Sequence, residues 1–202
     1  MNERRGAGGG MGPEGLSGGA SPAPILIRSA QPGDAAALAE LAASVGGEPQ
    51  GWLLSEGGWR TASDERRYLR AVRRHPDAAV IVAESDDGIV GRLSVSRDPH
   101  PSSRHVADLG LMVAASARRR GVGRALLDAA VEWARSAGVR KIELHVFPHN
   151  EAAIALYKAF GFEREGYRKG HYRRGGEYVD AILMAYPIEQ SSSTGTPPAS
   201  VW

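Results

Sequence analysis

Two segments carry residues whose types and spacing could do chemistry. Arg118-Arg119-Arg120-Gly121-Val122-Gly123 stands between an apolar strand pattern and an amphipathic helix. Further on comes Asn150-Glu-Ala-Ala153-Ile-Ala-Leu-Tyr157-Lys-Ala-Phe-Gly161-Phe162. In the first, Gly121 and Gly123 lack side chains, so a ligand can approach the backbone closely. The helix that follows opens with N–H groups that have no partner inside it, and its dipole favours an anion. Arg118, Arg119, Arg120 and Arg124 can add charge-assisted hydrogen bonds. The chemistry is capture of a compact phosphate. A basic, solvated helix start with glycines for a tight turn fits the same letters. The run is not a dinucleotide fingerprint, because Leu126 takes the slot of the last glycine, and it is not a P-loop, because no Gly-Lys-Ser/Thr follows.

The second segment offers an acid. Tyr157 lies seven residues after Asn150, so on a helix both can share a face. A phenol with a pKa of about 10 holds its proton at neutral pH and could stabilise or protonate a leaving group. Packing beside Leu156 and Phe160 is the plainer role. For a base, Asp108 has the opposite strand parity to Leu109, Leu111 and Val113; it could act directly or through water. His105, His145 and Glu143 are rivals, histidine because it titrates near 6.5. For each of these a solvated or structurally paired side chain is a commoner role than catalysis. Asp180, inside an apolar strand pattern, needs a partner: a substrate amine or an arginine it braces. Trp52 and Trp59 could line a pocket, pack their own loop or meet another subunit.

Composition narrows the classes. The 202 residues suffice for one domain with a real core. No apolar run is long enough to span a membrane, and Gly and Pro follow the N-terminal arginines where a signal peptide would need an apolar stretch. A cytoplasmic protein that does not bind membranes is expected. With no cysteine, disulfides, zinc–thiolate sites and a thiol nucleophile are excluded. The six histidines are scattered and no H-E-x-x-H occurs, so no metal is expected. Net charge is only +2, with 25 basic residues of which three are lysine. That small excess argues against a nucleic-acid surface, and His171-Tyr172-Arg173-Arg174 is its only hint.

The elements that must position these residues follow from periodicity. Residues 1–24 hold eight glycines and read as a disordered tail, as do 189–202; the folded unit is 25–188. A strand over 25–28 leads to a helix capped by Asp34 and running to about Ala43. Residues 44–62 read as a long loop, and a helix over 65–74 follows, capped by Ser63 and Asp64. Strands are expected at 78–84, 89–96 and 106–113, with Asp86-Asp87-Gly88 as a hairpin turn. A helix over 122–137 stops at Gly138. A strand over 142–146, a helix over 150–160 and two further strands within 162–186 complete one mixed α/β domain.

At these motifs the sequence closely resembles the GNAT-type N-acetyltransferase superfamily, in its small-molecule and amino-acid branch. Arg118-x-x-Gly121-x-Gly123 matches its acetyl-CoA signature. Asn150-x-x-Ala153, Leu156-Tyr157 and Gly161-Phe162 match its later segment, and Ile27-Arg28-x-Ala30-x-Pro32-x-Asp34 its opening. The resemblance implies a mostly antiparallel central sheet of six to seven strands, with one splayed pair and flanking helices. It implies direct transfer of acetyl from acetyl-CoA to a primary amine, of an amino acid or polyamine for example. The backbone of Met112 and Val113 would meet the pantetheine arm. Arg118, Arg119, Arg120, Gly121, Val122, Gly123 and Arg124 would surround the pyrophosphate, with Asn150, Ala153 and Tyr157 along the arm. Tyr157 would be the acid and the Val113 N–H would polarise the carbonyl. A protein amine as acceptor, a homodimer, and an acetyl-CoA sensor without catalysis stay open.

Overall fold

The computed structural model describes residues 24–54 and 59–189. The tail readings for 1–24 and 189–202 lie outside the described residues, Pro24 and Glu189 apart. Seven strands form one sheet: β1 (Leu26–Ser29), β2 (Ala78–Ser85), β3 (Gly88–Arg97), β4 (Val106–Val113), β5 (Lys141–Val146), β6 (Glu163–Arg174) and β7 (Glu177–Pro187). Their order across the sheet is β1-β2-β3-β4-β5-β7-β6. Every pair is antiparallel except β4 with β5.

Alternation decides which side each helix covers. Ile81, Ala83, Leu93, Val95, Ala107, Leu109, Ile142 and Leu144 pack with Leu126, Leu127 and Ala130 of α3 (Val122–Ser136). Tyr157 and Phe160 of α4 (Glu151–Phe160) join the same core. The alternate residues Val80 and Val82 face Leu38 of α1 (Ala35–Gly46) and Leu69 and Val72 of α2 (Ala62–Val72). The sheet is therefore covered on both faces, as its two-sided apolar content requires.

Two expected boundaries move, and one expected cap works differently, for local reasons. Asp34 stands at the N-cap of α1, as expected, but its side chain does not cap the helix. Its carboxylate accepts from the Arg28 guanidinium at 2.7 and 3.0 Å and from the Gln31 N–H at 2.6 Å, closing a 3₁₀ turn over Pro32–Asp34. The cap of α2 is Thr61, whose side chain accepts from the Asp64 N–H; Ser63 and Asp64 lie in the first turn. α1 continues to Gly46, so the loop that follows is shorter than the run of glycines suggests.

Candidate active site

The parallel pair β4–β5 creates the opening. These strands pair only from Val106↔Lys141 to Asp108↔Glu143, yet β4 runs on to Val113 and β5 to Val146. On the other side β4 stays in unbroken register with β3, and the Ala114 N–H donates to the Val90 carbonyl at 2.8 Å. Even-numbered peptides of β4 therefore turn to β3. The peptides of Leu109, Leu111 and Val113 turn into the wedge between β4 and β5.

The start of α3 lies just past the end of β4. Its N-cap, Gly121, is left-handed at φ 82° and no side chain caps the helix. Arg119 is also left-handed, at φ 62°. A non-glycine residue held there costs about 1–3 kcal/mol and marks a constrained turn. The first N–H groups of α3 are left without intrahelical partners, and a Cβ at Gly121 would meet nothing within 4 Å. Arg119, Arg120 and Arg124 are exposed around this cradle. The second glycine has a different cause. A Cβ at Gly123 would lie 2.8 Å from Leu156 Cδ2, so Gly123 permits α3 to pack on α4.

Arg118 is committed elsewhere. Its Nε donates to the Val113 carbonyl at 3.1 Å, and its guanidinium meets both oxygens of Glu48 at 2.5 and 2.8 Å. Trp52 Nε1 donates to the same carboxylate at 2.6 Å. The Arg118 hydrogen bonds hold Glu48 below the usual carboxylate range. Glu48, absent from the sequence reading, thus ties the segment after α1 to the end of β4. Trp52 also stacks on His149.

Asn150 is the N-cap of α4, its side-chain oxygen accepting from the Ala153 N–H at 3.2 Å. Tyr157 points to the sheet rather than to solvent, 6 % exposed and against Phe162. Burial pushes its phenol well above the ordinary value.

On the α1/α2 face a cleft of about 170 Å³ adjoins the wedge, lined among others by Tyr68, Ser94, Asp108, His145 and Tyr172. Asp108 keeps an open face to this cleft, yet its crowded walls and nearby Glu143 push its carboxyl up to about 6. His145 Nδ1 lies 2.6 Å from the Tyr172 hydroxyl. Burial, then Arg168 and His171, lower the His145 pKa, so the ring is neutral at pH 7. Burial and Asp108 raise Tyr172. The structure brings Asp108 and His145 together and adds Tyr172, which the sequence reading passed over. Glu143 pairs with Lys141 at 3.2 Å, and exposed His105 does not line the cleft.

Asp180 braces backbone, not an arginine. It accepts from the Gly170 N–H and the Tyr167 hydroxyl, each at 2.7 Å, across the irregular stretch of β6 between Arg168 and Tyr172. Trp59 lies beneath Arg92 and Arg60. Among the described residues no group of three His, Asp or Glu could hold a metal, and no helix is long and apolar enough to cross a membrane.

Residues 47–162 match the model of the acetyltransferase (GNAT) family. The chain is 42 % identical over 114 residues to an L-amino acid N-acetyltransferase, AaaT, of Escherichia coli K12, covering 54 % of this chain and 68 % of that protein. It is 33 % identical over 165 residues to the N-alpha-acetyltransferase RimI of Mycobacterium tuberculosis, covering 80 % of this chain and 91 % of that one. A phosphinothricin acetyltransferase from Sinorhizobium meliloti, solved with acetyl-CoA, has the same fold. Its TM-score is 0.72 at 21 % identity, over 88 % of this chain and 95 % of that one.

Proposed function

The chain belongs to the acetyltransferase (GNAT) family, and on that premise we propose that it transfers acetyl from acetyl-CoA directly to the primary amine of a small molecule such as an amino acid. One observation carries this reading: the β4–β5 wedge joins the uncapped start of α3 to a cleft that holds a carboxylate of raised pKa. A thioester-linked nucleotide fits that shape. The cradle at Gly121 has open space, free N–H donors and exposed arginines for phosphates. The N–H groups of Leu111 and Val113, which turn into the wedge, suit an extended amide arm, the Val113 carbonyl being taken by Arg118. When bound, acetyl-CoA supplies the activated acetyl group.

The chain's own residues do the rest. Asp108 takes a proton from the ammonium of the acceptor, which frees the nitrogen lone pair for attack on the carbonyl carbon. The Val113 N–H stabilises the charge that develops on the carbonyl oxygen. The Tyr157 hydroxyl donates to the sulfur as the C–S bond breaks. No acyl-enzyme forms, in keeping with a chain that has no cysteine. A cytoplasmic site of action goes with this cosubstrate.

The test is release of CoA from acetyl-CoA across amino acids, polyamines, aminoglycosides and N-terminal peptides. Turnover with small amines supports the reading. Tight acetyl-CoA binding with no turnover on any acceptor overturns it in favour of a sensor. A second reading, a protein N-terminal amine as acceptor, rests on the Mycobacterium tuberculosis relative; selective turnover of peptides would favour it.

Arg118 is assigned to the loop rather than to phosphate. In a double-mutant cycle, Arg118→Ala and Glu48→Gln are expected to couple by about 1 kcal/mol in unfolding free energy, as a partly exposed bidentate pair does. Additive losses, together with weaker acetyl-CoA binding in Arg118→Ala alone, would return Arg118 to the phosphates.

A further inference from the structure

Behind the acceptor cleft lies a buried charged cluster that the transfer steps do not use. Arg92 of β3 is 3 % exposed and Glu65 of α2 is fully buried. They stand 3.5 Å apart, a long ion pair. The other Glu65 oxygen lies 3.4 Å from Arg60, and both guanidinium groups sit against Trp59, 4.9 and 5.4 Å from its ring centre. Arg60 is 44 % exposed and keeps its charge in water, so the buried pair is Glu65 with Arg92, joined by a single long contact. Arg92 Nε has no hydrogen-bond partner among the described residues. Charge held out of water is costly unless a counter-ion is near.

Where the weakly paired Arg92 guanidinium acts is set by what it touches. Its Nη1 donates to Ser94 Oγ at 3.2 Å, and it interacts with Tyr68. Both Ser94 and Tyr68 line the cleft. Because Arg92 occupies an acceptor position of the Ser94 hydroxyl, the Ser94 proton is free to donate into the cleft. Ser94 pairs with Gly110 across β3–β4 and Ser96 with Asp108, so Ser94 and Asp108 are diagonal neighbours on one face, about 7–8 Å apart. Both residues open onto one cleft, so a small molecule that carries an amine and a carboxylate can meet Asp108 and Ser94 together.

We propose that Arg92, acting through Ser94 and Tyr68, is a positioning residue that selects acceptors bearing a carboxylate beside the amine, so that the cleft takes α-amino acids in preference to polyamines. This deepens the acetyltransferase reading and rests on it. It also explains a polar stripe inside an otherwise apolar strand. Arg92, Ser94 and Ser96 alternate with Leu93 and Val95, and the stripe faces the acceptor cleft while the apolar residues face α3.

The experiment compares neutral L-amino acids with their carboxamides, which keep the side chain and the amine. Binding to the full chain with CoA present is measured by calorimetry, and kcat and KM by CoA release. The native chain is expected to favour the carboxylate by about 10- to 100-fold, the weight of a charge-assisted hydrogen bond. Arg92→Met should abolish that preference through KM with kcat largely kept, while Arg92→Lys, which keeps the charge but not the fork, restores part of it. If Arg92→Met does not fold, Ser94→Ala should lose the same preference in smaller measure. Equal binding of acid and amide by the native chain overturns the proposal, as does a preference that survives in Arg92→Met and Ser94→Ala. Absence of turnover on every amine would count against the acetyltransferase reading alone, because the binding ratio still decides this one.

Discussion

Tyr157→Phe lowers kcat by about 100- to 1000-fold, the contribution of a positioned acid, while the KD for acetyl-CoA changes by less than about threefold. The ring is what packs: Tyr157 lies against Phe162 in the core beneath α4, and phenylalanine keeps that contact. Only the hydroxyl is removed. Burial raises the phenol pKa, with two consequences. The group is fully protonated at any working pH, so it always has a hydrogen to offer. Complete transfer would leave a phenolate in an apolar setting, so the hydroxyl acts mainly by donating to sulfur while charge builds there. Losing an interaction made only as the bond breaks lowers kcat and kcat/KM together. The variant should unfold no earlier than the native chain, since a buried hydroxyl gives way to hydrogen. An unchanged kcat would remove Tyr157 from the reaction and leave it a packing residue.

The elements were legible because their periods are clean. Leu126, Leu127, Ala130 and Ala134 recur at helical spacing and all are buried. Ile142, Leu144 and Val146 alternate and all are buried too. Caps differed where a nearby side chain competed for the capping group or replaced it. Asp34 is a cap by sequence, yet Arg28 lies opposite it across the turn and takes its carboxylate. Arg28 and Asp34 stand in one short pattern, but helix-capping rules do not record their pairing. The site divides in the same way. The α3 cradle is local, and its glycines announce it, although Gly123 turned out to serve helix packing against a residue far along the chain, Leu156. Arg118, read with its arginine neighbours, is the member that points to Glu48, because only the fold brings residues 48 and 118 together. Tyr172 stands in a run whose arginines hint only at a nucleic-acid surface; pairing of β6 with β7 and of β7 with β5 carries it to His145. The alternation of Arg92, Ser94 and Ser96 was a local signal that could have exposed the buried cation.

Asp108→Asn is expected to cut kcat/KM at pH 7.5 by about 100-fold or more, because the amide accepts no proton. The pH profile makes the assignment specific. Burial in the cleft and the neighbouring Glu143 push the Asp108 carboxyl up to about 6, so the native kcat/KM should rise with pH through about 6 and then flatten as the carboxylate fills. In Asp108→Asn that limb vanishes, whereas a histidine base would leave it in place. Stability moves the opposite way. A carboxyl whose pKa is raised by folding binds its proton more tightly in the native state than in the unfolded one. Its contribution is whole below the unfolded value of 3.8 and is lost as pH rises through about 6. At pH 8 the native protein holds an ionised group that the cleft disfavours, and asparagine relieves it. Because Asp108 keeps an open face to solvent, screening discounts the gain to about 1 kcal/mol. Urea unfolding should therefore find Asp108→Asn more stable than the native chain at pH 8 and equal to it at pH 4. An inactive variant with no gain at pH 8 would mean that Asp108 already has a compensating partner. An active variant would mean that the proton leaves through His145 and Tyr172.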